Sequence, residues 1–211
     1  MISHDHKAIM VHVPKTGGTS VEYAFGFIKI DKPEDFVPRA GLHDADAMGP
    51  KHARARRLKL DYPEIWNEYF TFAFVRNPWD RLVSSYHWAK QGNKPRLQKF
   101  NSFEEFVLEM PNIKARLKNT QLNFIANKRG KILVDFVGRT ETMDRDFAHV
   151  CERIGSDLEL PRINTSKRGD YTEYYTDEMR KIVDEVFADD IEAFGYKFGE
   201  DVTDPIMLAE A

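Results

Sequence analysis

The chain has one cysteine, Cys151, in 211 residues. No intrachain disulfide can form, which excludes a small secreted fold held by bridges and points to a reducing setting. Cys151 lies in an apolar-periodic stretch with Phe147, Val150 and Ile154 and reads as a packed core thiol. No apolar run approaches the ~20 residues that a bilayer-crossing helix needs. The first residues, MISHDHK, lack a basic-then-apolar leader pattern. The chain is therefore expected to be soluble and cytoplasmic, without a transmembrane segment. An excess of positive charge is missing too, since 31 Lys and Arg against 34 Asp and Glu give a net charge of −3. That balance argues against general nucleic-acid binding, which needs a cationic surface. No group of residues has metal-ligand spacing, so no metal is expected; His4 and His6 read as a solvated start to the chain. Repeats and low-complexity stretches are absent as well.

What is present suits one α/β domain over residues 1–211 with a core of about 8–198, since 42% of the residues are hydrophobic. Ala8 to Val13 is a short apolar run ending at Pro14, as for a buried strand. Thr19 or Ser20 is placed to cap a helix running to about Phe27. Residues 31–50 read as a loop, and His52 to Leu60 as a basic helix. Thr71 to Val75 is a second strand, followed by a helix capped by Asn77, with Pro78 first, running to about Lys90. Ser102 and Glu105 form a capping box for a helix to about Met110. Ile132 to Val137 is a third strand, and helices follow at Met143–Ile154 and Asp177–Phe194. Strands alternating with helices predict a single P-loop-like domain with a mainly parallel central sheet flanked by helices.

The stretch between the first strand and its helix carries the chemistry. Gly17 and Gly18 let the backbone turn tightly and present several N–H groups to one point. Lys15 adds a mobile charge, and Thr16, Thr19 and Ser20 add hydroxyls, so the loop is suited to phosphate or sulfate. The Walker A loop places its lysine after the last glycine. Here Lys15 precedes both glycines and GK[ST] occurs nowhere, a poor match for a nucleotide triphosphatase.

The run His12-Val13-Pro14-Lys15-Thr16-Gly17-Gly18-Thr19-Ser20 resembles the 5′-phosphosulfate loop of sulfotransferases that use 3′-phosphoadenosine 5′-phosphosulfate. It is most similar to the carbohydrate branch that includes the heparan sulfate 2-O-sulfotransferases and their bacterial relatives. A second segment, Phe72 to Tyr86, places Arg76 at the end of a strand and Ser84 two turns into the following helix. An arginine and a serine on neighbouring elements give charge-assisted bonds to one phosphate. The resemblance assigns this segment to the 3′-phosphate, with Arg76 and Ser84 the matching positions. Two anion sites fit a donor phosphorylated at both the 3′ and 5′ positions; ATP has no 3′-phosphate for the second.

Sulfuryl transfer to a hydroxyl needs a base for the acceptor proton, which histidine suits at neutral pH. It also needs a cation at the bridging oxygen of the leaving phosphate, for which Lys15 is the candidate. His12 and His149 read as structural and His87 lies beyond Ser84, which leaves His43 and His52. Lys51-His52 resembles the stretch that carries the base in this branch, and so points to His52. The resemblance further implies that Lys167 and Arg168, in the polar loop Asn164–Tyr171, reach the nucleotide phosphates. Asn119-Thr120-Gln121 and Val137–Glu141 also resemble the family, with no role derivable for Gln121, Arg139 or Glu141. The expected partners are the nucleotide sulfate donor and a hydroxylated acceptor, a glycan, with the oligomeric state open. Two other readings stand beside this one. A small-molecule kinase would need magnesium ligands, and a non-catalytic nucleotide-binding protein would keep Lys15, Arg76 and Ser84 without needing His52.

Overall fold

The computed structural model describes residues 1–28, 51–90, 99–112, 120–161, 163, 169–206 and 208. Strands β1 (Ile2–Ser3), β2 (Ala8–Met10), β3 (Phe70–Val75) and β4 (Phe136–Arg139) form a sheet in the order β1-β2-β3-β4. β1 runs antiparallel to β2, while β2, β3 and β4 are parallel. The expected fold class is the one observed.

Side-chain alternation along the strands divides the core into two. Ala8, Met10, Phe72 and Phe74 turn to one face, where they meet Val21 of helix α1 (Gly18–Ala24) and Phe25 at its C-cap. Phe147, Val150 and Cys151 of a helix after β4 close the same layer. Ile9, Val11, Ala73, Val75 and Val137 turn to the other face. Covering that face are α2 (Ala55–Asp61), α3 (Pro63–Glu68), α4 (Pro78–Trp88), α5 (Phe103–Leu108) and α6 (Gln121–Ile125). The helix after β4 is α7 (Met143–Ile154), and α8 (Asp177–Val186) and α9 (Ala188–Phe194) follow it. Among the described residues, no helix is long and apolar enough to cross a membrane.

Several boundaries differ from the sequence expectation, each for an identifiable reason. The third parallel strand is Phe136–Arg139, not Ile132–Val137. Leu133 donates instead to the Ile125 carbonyl, with Ala126 and Ile132 bridged antiparallel around the turn at residues 127–130. Asp135 then ends that excursion, its carboxylate accepting from both the amide and the hydroxyl of Thr71 at 2.8 Å. The expected last helix is two, broken at Phe187, whose ring is buried. The break brings Asp190 inward to the start of α6. Neither Thr19 nor Ser20 caps α1: Gly17 does so in the left-handed region at φ 76°. The basic helix begins at Ala55 rather than His52. At the start of the chain His4 is exposed and His6 half-buried, while Met1, Ile2 and Ser3 before them are buried. Asn77 does cap α4, its side chain accepting from the amides of Trp79 and Asp80, and Cys151 is buried with its thiol free.

Gly138 pairs with Phe74 across β3 and β4, and a Cβ there would stand 2.5 Å from the Phe74 ring. The glycine therefore lets Phe74 lie flat against the neighbouring strand. Gly138→Ala is expected to destabilise the fold by about 1–3 kcal/mol, as overpacking does. Urea denaturation measures this, and Phe74→Leu in the same chain should recover part of the loss.

Candidate active site

The three parallel strands deliver Pro14–Ser20, Arg76 and Glu141 to the carboxyl edge of the sheet, where ligands of open α/β sheets bind. The loop after β2 is shaped by satisfying its carbonyls from inside the protein. The Thr16 hydroxyl donates to the Val13 carbonyl at 2.9 Å. Arg81 Nε donates to the Pro14 carbonyl at 3.0 Å, and Arg76 Nη1 to the Lys15 carbonyl at 3.4 Å. Lys15 and Gly17 take positive φ, 70° and 76°, as a loop folded over its own carbonyls requires. The amides of Thr16, Gly17, Gly18 and Thr19 donate to nothing among the described residues, and such a run of amides suits an anion. Both glycines are also packing requirements. A Cβ at Gly17 would lie 2.8 Å from Met143 Sδ, and one at Gly18 would lie 2.3 Å from His12 Nε2.

Arg76 is the most constrained residue of the second motif. The Gln121 side chain accepts from its amide at 2.9 Å and donates to its carbonyl at 2.7 Å, acting as a one-residue strand beyond the end of β3. Gln121 is itself buried, and its amide and that of Leu122 donate to the two carboxylate oxygens of buried Asp190. Arg76 Nε and Nη2 bond Asp80 Oδ2 at 2.7 and 2.6 Å, which fixes the guanidinium over the first turn of α4. Asp80, Ser84 and Trp88 recur every four residues and so share one face of that helix. Lys15 has its carbonyl at Arg76 and its ammonium 5.3 Å from the centre of the Trp88 ring. The loop therefore runs alongside the stripe on which Ser84 lies.

His52 donates from Nδ1 to the His12 carbonyl at 3.0 Å, which leaves the lone pair on Nε2. Its ring stands edge-on to that of His12, 4.7 Å between centres, and His12 in turn abuts Gly18. The His52 pKa is lowered to about 4, by burial of its inner face first and the His12 neighbour second. Its outer face is exposed, and solvent there moderates the effect.

The two motifs and His52 thus come together at one edge, where the protein itself engages some of their side chains. The Thr16 hydroxyl spends its proton on Val13, and buried Ser20 accepts from the Ile163 amide at 3.4 Å. Thr19 is half-buried in the first turn of α1. Arg81 is buried, 4.0 Å from Asp190, as a support of the loop. Lys167, Arg168, His43 and Asn119 lie outside the described residues. Sequence reasoning assigned no role to Gln121, Glu141 and Arg139. Glu141 accepts from the Asn77 amide at 2.6 Å, and Arg139 donates to the carbonyls of Phe194 and Asp204. Asp190 and Glu22 were not singled out at all, because nothing local marks a helix carboxylate as buried. Among the described residues no group of three or more side chains could hold a metal ion.

The model of the sulfotransferase family matches residues 1–197. The chain belongs to the sulfotransferase family. An uncharacterized protein of Archaeoglobus fulgidus is 35% identical over 118 residues, covering 51% of this chain and 87% of that protein. The crystal structure of mouse sulfotransferase SULT7A1 complexed with PAP aligns with a TM-score of 0.52. It covers 90% of this chain and 86% of its own at 16% identity, a likeness of fold. The strand–loop–helix edge described above is the part of this sulfotransferase that carries both motifs singled out in the sequence.

Two measurements follow from this geometry. Gly18→Ala drives a methyl group into the His12 ring and is expected to cost about 1–3 kcal/mol in urea denaturation. His12 and His52 both have pKa values lowered by burial from the ordinary 6.5. As pH falls the unfolded chain takes up these protons first, so the stability of the neutral imidazoles is whole above about pH 6.5 and is lost towards pH 4. His52→Gln should flatten part of that slope in urea midpoints measured against pH. An unchanged slope would show that His52 is fully solvated.

Proposed function

We propose that this sulfotransferase moves a sulfuryl group from 3′-phosphoadenosine 5′-phosphosulfate to a hydroxyl of a carbohydrate acceptor. The observation that carries the reading is the joining of two anion-binding motifs through Arg76 and the Lys15 carbonyl. A donor phosphorylated at both ends fits such a pair, and the PAP in the mouse relative's crystal supports the same donor.

In this reading the amides of Thr16 to Thr19 hold the 5′-phosphosulfate, with Lys15, Thr19 and Ser20 beside it, and Arg76 with Ser84 holds the 3′-phosphate. Lys167 and Arg168 join as further phosphate contacts on the strength of the family resemblance. His52 Nε2 takes the acceptor proton as the oxygen–sulfur bond forms. The sulfur–oxygen bond to the phosphate breaks, and Lys15 stabilises the charge left on that oxygen. Most of the acceleration comes from holding acceptor, sulfur and leaving oxygen in line. Two observations support a glycan acceptor: the motif resemblance, and the position of α2, whose Arg56, Arg57 and Lys59 follow His52 directly.

Calorimetric titration with adenosine 3′,5′-bisphosphate and with ATP tests the donor site. The bisphosphate is expected to bind more tightly, and Arg76→Ala to weaken it about tenfold or more, the worth of a charge-assisted pair. Preference for ATP would instead identify a kinase. His52→Ala should leave bisphosphate affinity intact while cutting transfer from labelled donor to a screened polysaccharide by about 10²–10⁴-fold. Retained turnover would remove His52 as the base.

A further inference from the structure

The first helix contains a carboxylate that the reaction just described does not use. Glu22 lies on α1, one turn past Gly18, and only 4% of its surface is exposed. A buried negative charge so close to an anion-binding loop opposes ligand binding unless it is neutralised locally. It is neutralised by two partners that arrive from different parts of the chain. Oε1 accepts from His12 Nδ1 at 2.8 Å, and Oε2 from the Lys51 ammonium at 2.8 Å.

Those partners lie on either side of the candidate base. His12 lies two residues past β2, its ring packed beneath Gly18, and its carbonyl receives the Nδ1–H of His52. Lys51 is the covalent neighbour of His52. The His52 ring is therefore tied to the loop twice, through the His12 carbonyl and through the Lys51–Glu22 pair. Its Nε2 makes no hydrogen bond among the described residues. Burial favours the neutral forms of Glu22 and His12 alike, but the contact with His12 first and with Lys51 second holds Glu22 well below the usual carboxylate range, while burial keeps His12 neutral. A neutral His12 donating Nδ1–H to a carboxylate keeps one tautomer and one ring orientation, as an oriented imidazole requires.

We propose that Glu22 is a positioning residue for sulfuryl transfer: it clamps His12 under the phosphate loop and Lys51 beside it, and so fixes where His52 stands and which nitrogen carries its lone pair. This rests on the reading of His52 as the base. Glu22 itself touches neither donor nor acceptor.

The full chain with Glu22→Gln, and separately with Lys51→Met, tests the clamp, since each change breaks the same ion pair from a different side. Three readings are taken: affinity for adenosine 3′,5′-bisphosphate, the His52 tautomer by imidazole nitrogen NMR, and hydrolysis of the sulfate donor with water as acceptor. In the wild type His52 should carry its proton on Nδ1. Glu22→Gln is expected to bind the bisphosphate within about threefold of wild type and Lys51→Met more weakly, since it leaves the carboxylate charge unopposed; both are expected to lose the single tautomer. Donor hydrolysis should fall about tenfold or more, the scale of a misplaced base. If both variants keep the wild-type tautomer and turnover, the clamp is wrong. If Glu22→Gln does not fold, Lys51→Met decides alone, because it leaves the carboxylate bonded to His12. A wild type that binds no bisphosphate would refute the donor reading instead, while the tautomer comparison would still judge the clamp.

Discussion

Two arginine side chains reach from the start of α4 to the carbonyls of Pro14 and Lys15, and the geometry of the site follows from those bonds. A loop can turn its amides towards a ligand only if its carbonyls find donors elsewhere, because a buried carbonyl without a partner costs as much as a lost hydrogen bond. Arg81, buried against Asp190, supplies one donor, and Arg76, held by Asp80 and Gln121, supplies the other. Asp190 also receives the first amides of α6, so one carboxylate from the C-terminal helices orders both the loop's support and the residue that pins Arg76. The Pro14–Ser20 loop and the Arg76 segment are therefore mechanically one unit.

Behind the loop the same logic operates with ionised groups. Glu22 brings His12 and Lys51 together in a space almost closed to water, where an unpaired charge would be far costlier than a paired one. Glycine at position 18 is what allows the His12 ring to lie there. The loop is thus held in front by arginine donors and behind by an imidazole, with little room to deform when a charged ligand arrives.

Much of this was legible in the chain read by itself. The strand at Thr71–Val75, the Asn77-Pro78 start of α4 and the helix at Met143–Ile154 are local signals, and the structure keeps them. The strand expected at Ile132–Val137 was misplaced because an apolar run does not say which neighbour it will pair with. Thr71 bonding Asp135, 64 residues away, sets where the ladder begins. The continuous pattern from Asp177 to Phe194 likewise hid the break at Phe187, which exists to bring Asp190 to α6. Hydroxyls were equally ambiguous: Thr16 and Ser20 read alike in the sequence, yet the Thr16 hydroxyl donates to Val13 whereas Ser20 accepts from the Ile163 amide.

The sequence alone determined the strand–loop–helix unit, the lysine placed before its glycines, and the arginine at the end of the second strand. These depend on residue type and short spacing, which the chain carries in itself. Only the tertiary structure decided which groups support them: Gln121 on Arg76, Arg81 on Pro14, Glu22 between His12 and Lys51. Such pairings join residues 10 to 67 positions apart. They are set by how the helices pack on the sheet, and no local pattern records that.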